Sequence, residues 1–227
     1  MKMKQYKTGI LALLLVAAGT TQAVAGQMNV WEWAYNIDGI TTAGDPSVFP
    51  AGGTGLGSVS TNISGQGSHK VIFYMDYEID EDDNTYFNEF GSSSGITAGG
   101  QSWEIDEPGF VYGDIYAHLI SGVLDNSNGV PSSAPDDVAI AMGWDFTLLA
   151  GQSAVIDLLI SDTAPSSGFY LTQTDPDSQY SIYFSSYLTR KGGEPDQNPV
   201  PEPATMLLMG SGLVGLYAAR RKKGQKA

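Results

Sequence analysis

The chain of 227 residues contains no cysteine and only 2 histidines. Disulfides and cysteine–zinc sites are thereby excluded, and any folded part must be held by its core or by a bound ion. Basic residues are scarce as well, 11 against 25 acids, for a formal charge of -14. They are also unevenly placed. Lys2, Lys4 and Lys7 stand at the start and Arg220, Arg221, Lys222, Lys223 and Lys226 at the end, so residues 26–198 hold 24 acids and three bases (Lys70, Arg190 and Lys191). A middle with a charge near -21 repels nucleic acid and other polyanions, and it attracts calcium, basic proteins and amino sugars. With 42% hydrophobic residues and 28 glycines, the chain is too apolar for disorder and too glycine-rich for a helical bundle.

Two apolar runs bracket this acidic middle. After the basic start, Ile10 to Ala18 is long enough for the hydrophobic region of a secretory signal and short for a membrane span, and Ala23-Val24-Ala25 follows as a small-x-small site. The expectation is a signal peptide over 1–25, cut by signal peptidase after Ala25 to leave Gly26 as the mature start. The second run, 204–219, has no polar face. Its sixteen residues give roughly 24 Å of helix, short of a hydrocarbon core of about 30 Å, and the stems of Arg220 and Arg221 can extend the reach. A transmembrane helix is expected there. The cluster Arg220, Arg221, Lys222 and Lys223 and the tail end 224–227 would stay in the cytoplasm, with the body on the far side.

Immediately before that run stand Val200, Pro201, Glu202 and Pro203, held extended because each proline fixes its own φ and disfavours helix at the residue before it. Val-Pro-Glu-Pro, a short apolar helix and an arginine-rich end, in that order over 199–223, resemble the PEP-CTERM sorting signal of Gram-negative bacteria. The resemblance implies recognition by an exosortase, a membrane peptidase, with transient membrane anchoring and delivery to the cell surface or extracellular matrix. It also implies an association with exopolysaccharide. The resemblance says nothing of the body.

Between these ends, residues 26–190 show period-2 alternation broken by Gly, Ser, Asn, Asp and Pro. Strands are expected at 30–37, 59–63, 71–79, 102–105, 110–120, 138–149, 153–160, 169–173 and 180–188. The 110–120 run has a helical alternative over 111–124, because Val111, Ile115, Leu119 and Val123 are spaced by four. Ala150-Gly151-Gln152 reads as a hairpin turn between its neighbours. In the first strand Trp31, Trp33 and Tyr35 share a face; in the third, Val71, Phe73, Met75, Tyr77 and Ile79 point inward. The fold class is all-β, an antiparallel β-sandwich with the jelly roll as one form of it. Residues 191–198 read as a linker.

Chemistry is harder to find. Gly210–Gly215 has the letters of a dinucleotide fingerprint but lies in the apolar run, and Gly91–Gly95 has esterase letters without a strand–elbow–helix setting. His69 and His118 have no metal-ligand spacing and read as strand or loop residues. Trp31, Trp33, Trp103 and Trp144 could stack on sugars, although strand tryptophans usually belong to the core. The densest feature is Asp76, Glu78, Asp80, Glu81, Asp82 and Asp83, followed by Asn84. An EF-hand is rejected, since Thr85 and Gly91 stand where its glycine and glutamate belong. A looser calcium site using Asp76, Glu78, Asp80, Asp82 and Asn84 stands beside the plainer reading of a solvated acidic turn. The sequence thus points to an exported structural or binding protein with no catalytic residues, and the competing class is an exported polysaccharide hydrolase.

Overall fold

The computed structural model describes residues 28–44, 55–79, 86–109 and 111–193. The expected signal peptide, the expected transmembrane helix, the linker from residue 194 onward and the sorting tetrapeptide lie outside them. Ten strands form two five-stranded antiparallel sheets. The first takes β1 (Met28–Ile37), β2 (Ile40–Ala43), β4 (Gly67–Ile79), β6 (Gln101–Asp106) and β7 (Ala139–Leu148) in the order β2-β1-β4-β7-β6. The second takes β3 (Gly57–Ser64), β5 (Phe90–Ser94), β8 (Gln152–Ser161), β9 (Tyr170–Thr174) and β10 (Ser181–Gly192) in the order β3-β8-β10-β9-β5. The core is where their facing residues meet. Val71, Phe73, Met75, Tyr77 and Ile79 of β4 join Ile156, Leu158 and Ile160 of β8 and Ile182 and Phe184 of β10 in one buried cluster. Each such side chain contributes about 1.5–3 kcal/mol on leaving water, so alternation alone is enough to drive the faces together.

Several expectations need correction. The 110–120 run is not a strand: α1 (Ile115–Ser121) forms there, burying Ile115 and Leu119 and leaving Val111 and Val123 exposed, so His118 lies on a helix. The 150–152 turn is tight, with Gly151 at φ +77°, but it does not make a hairpin. Both edges of β7 are taken by β4 and β6, so the chain crosses to the second sheet and β8 pairs with β3 and β10 instead. Strands β2 and β5 were not expected, being short and largely polar. Trp31 does not share a face with Trp33: a bulge between Val30 and Glu32 makes it the extra residue, 60% exposed, while Trp33 and Tyr35 pack on the core. Strand β10 also takes in Lys191 and Gly192, the first residues of the expected linker.

The outer face of the first sheet is not left to solvent. Ile115, Leu119 and Leu124 pack on Ala34, Ile72, Tyr74, Ala139 and Ala141, forming a second, smaller core. Buried Asn36 fastens this cover. Its side-chain amide donates to the carbonyls of Leu119 (2.8 Å) and Ile120 (3.2 Å), and its oxygen accepts from the Gly39 N–H (2.9 Å). Helix α1 ends on Gly122, left-handed at φ +73°. Asn36→Ala would strand these groups in a dry interface. It should lower the unfolding free energy of the full chain by roughly 2–4 kcal/mol in urea titrations, and a loss under about 1 kcal/mol would show that the clamp carries no stability.

Candidate functional site

The register of the first sheet lines up its outer face in rows. Ala34, Tyr74, Ala141 and Glu104 are cross-strand neighbours, and the next row toward the sheet end is Glu32, Asp76, Ala139 and Asp106. Asp137 precedes β7 by two residues and continues its line toward Glu78. The backbone there is pinned, because the Asp136 N–H donates to the Glu89 carbonyl (2.9 Å). Three carboxylates converge as a result: oxygens of Asp76, Glu78 and Asp137 all lie within 4.8 Å of one another. Asp76 is 1% exposed and Glu78 5%, so the alternation that promised a solvated outer face is overridden by the covering helix and loops.

Burial and mutual repulsion govern the chemistry of this group. The Asp76 carboxyl is pushed up to about 9, first by burial and then by Asp137, Glu78, Glu32 and Glu89. Asp137 is pushed up to about 6 by burial, then by Asp136 and Glu107, and burial also raises Glu32. Asp76 Oδ1, Asp137 Oδ1 and Glu32 Oε2 are each buried without a hydrogen-bond partner. Of the residues expected to form a metal site, Asp76 and Glu78 do stand together. Asp80, Asp82 and Asn84 lie outside the described residues, and Asp137 and Glu32 were missed. No local spacing could have found those two, since the sheet brings them from about 60 and 45 residues away along the chain.

Asp137 also lines a cleft of about 490 Å³ with Asp136, Glu107, Phe87, Val111 and Tyr112. Its apolar wall is open to solvent, with Phe87 57%, Val111 80% and Tyr112 70% exposed. Apolar and aromatic faces beside acids suit a neutral or amino sugar, or a cationic group, better than an anionic one.

Other candidates are occupied by structure. The His118 ring nitrogen Nδ1 meets both oxygens of buried Glu104 at 2.8 and 2.9 Å, and the Asp125 N–H donates to the same carboxylate at 3.2 Å, which ties α1 to β6. His69 bridges Asp38 (2.8 Å) and the Gly65 carbonyl (2.9 Å). The serines of Gly91–Gly95 lie on β5, an edge strand, with no helix behind them. Trp33 and Trp103 pack against the core, and buried Trp144 donates through Nε1 to Ser186 Oγ (2.7 Å), which leaves Trp31 as the exposed tryptophan.

The body is therefore an all-β sandwich with a buried acidic cluster opening onto a partly aromatic cleft. The tail carries a recognisable signal. Residues 199–222 match the family model of the PEP-CTERM protein-sorting motif, so the chain carries a PEP-CTERM sorting signal, which implies export and processing by an exosortase, while its body is assigned to no family. Neither a curated protein nor a solved structure matches the chain. Among the described residues no helix is long and apolar enough to cross a membrane.

Proposed function

We propose that this protein is a non-enzymatic component of the cell surface or extracellular matrix that binds or structures exopolysaccharide. The observation that carries the reading is the sorting motif at 199–222. In this reading residues 1–25 direct export, 204–219 hold the protein in the inner membrane with its body outside, and exosortase processing releases it to its final place. The exposed faces of Phe87 and Tyr112 are the surfaces on which sugar rings would stack. A body charge near -21 disfavours direct contact with acidic glycans, so neutral or amino-sugar polymers, or cation-bridged acidic ones, are the expected partners.

One observation favours an exported polysaccharide hydrolase as the second reading. Asp137, raised to about 6, stands on the cleft wall with Asp136 and Glu107, and a carboxyl holding a proton near neutral pH is what glycoside hydrolysis uses as its acid. The test is to incubate the full chain with a panel of exopolysaccharides and score retention and release of reducing ends separately. Retention without release is the expected result, weakened at least tenfold by Phe87→Ala with Tyr112→Ala. Release of reducing ends that Asp137→Asn abolishes would establish the hydrolase instead.

A further inference from the structure

We propose that Asp76, Glu78 and Asp137 bind a calcium ion at the inner end of the cleft, in a site assembled by the sheet and not by the acidic loop that follows β4. The donors are oxygen only, with no histidine or cysteine in the group, which selects a hard cation. Ligands on opposite sides of a calcium ion stand about 4.6–5.2 Å apart, against about 4.0–4.2 Å for magnesium. Oxygens within 4.8 Å of one another fall inside that reach and are close enough to share one cation. Asp137 is shared with the cleft, so water can reach the ion's open positions.

A second observation points to a ligand independently of the clustering. Asp76, whose carboxyl group belongs to this cluster, is 1% exposed, and its Oδ1 is shielded from water and accepts no hydrogen bond. Leaving such an oxygen bare in a folded interior is costly, and a bound cation removes the cost. Among the described residues no side chain does so. The described ion pairs of Lys70, His69 and His118 go to Asp145, Asp38, Glu104 and Asp114, and none reaches Asp76 or Asp137. Glu32, across the ladder from Asp76, adds a further buried oxygen and more negative potential.

The test is calorimetric titration of the full chain in detergent, stripped of metal by chelator, with calcium chloride and separately with magnesium chloride, together with melting curves. One calcium per chain and a melting temperature raised by several degrees are expected, with magnesium at least tenfold weaker. Asp76→Asn and Asp137→Asn should each weaken calcium at least tenfold and lose the melting shift. Without calcium, Asp137→Asn should melt at or above the wild type, because it removes a charge from a repelling group. Should Asp76→Asn fail to fold, the less buried Asp137→Asn decides, and wild-type affinity in it would overturn the proposal. Asp80→Asn with Asp82→Asn should leave the response intact, and its loss there would move the site into the loop and overturn the proposal. So would the absence of calcium heat in the wild type, or magnesium binding as tight as calcium.

Discussion

Replacing Pro201, Glu202 and Pro203 by alanine should trap the protein as its full-length, membrane-held form in a host carrying the matching exosortase. The sorting motif spans 199–222 and offers two separable signals: a proline-bracketed tetrapeptide for a peptidase to grip, and an apolar run followed by Arg220–Lys223 to stop transfer. Alanine removes the φ restraint of both prolines and the charge between them, and it leaves hydrophobicity and the basic cluster unchanged. Insertion should therefore survive while processing is essentially lost. The wild type should shed its basic tail, and a chain lacking 204–223 should be released soluble, since the apolar run that stops transfer is gone. Immunoblotting of membrane and extracellular fractions reads all three. Equal processing of wild type and alanine variant would reduce the tetrapeptide to a spacer.

A second large effect is expected from pH. Glu89 is 1% exposed, accepts from the Ile79 N–H (2.9 Å) and from the Gln173 side-chain amide, and lies near Glu78 and Asp175. Burial pushes its carboxyl from an ordinary 4.5 up to about 8, against the pull of its two hydrogen bonds. Between those values the folded protein holds a proton that the unfolded chain has released, so raising the pH favours unfolding. The stabilisation is complete below about 4.5 and lost as pH rises through about 8, with an upper bound of roughly 4–5 kcal/mol for this one group. Urea titrations of the calcium-free full chain should therefore show stability falling from pH 5 to pH 8, opposite to the behaviour of proteins whose acids are paired with bases. Glu89→Gln, which cannot ionise, should remove the Glu89 share of the slope, under about half, because Asp76, pushed up to about 9, acts in the same direction over this range. A stability that rises over this range, or a slope that Glu89→Gln leaves untouched, would rule the explanation out.

The sorting signal of the tail and the alternating pattern of the body are local properties, and the sequence alone determined them. Pro201 and Pro203 act on their own backbone and their immediate neighbours, and the inward set Val71 to Ile79 follows from a period of two along one strand. The acidic run beginning at Asp76 was equally plain as letters. Its meaning was not, because burial is a property of what covers a strand. Alternation marks Ile72, Tyr74, Asp76 and Glu78 as the opposite face but cannot say that α1 and its flanking loops lie over it. Segment 111–124 fits helix and strand patterns alike, and only the outer face of the sheet, offering Ile72 and Tyr74 to Ile115 and Leu119, chose between them. The 150–152 turn shows the same limit: its glycine permits reversal, but the occupied edges of β7 sent the next strand to the other sheet. Asp137 reaches Glu78 and Asp76 through an antiparallel ladder between segments some 60 residues apart, and Glu32 reaches Asp76 through another across a bulge. Ladder partners are set by which edges remain free once the core has formed. No local period encodes that choice, so the acidic cluster exists only in the folded protein.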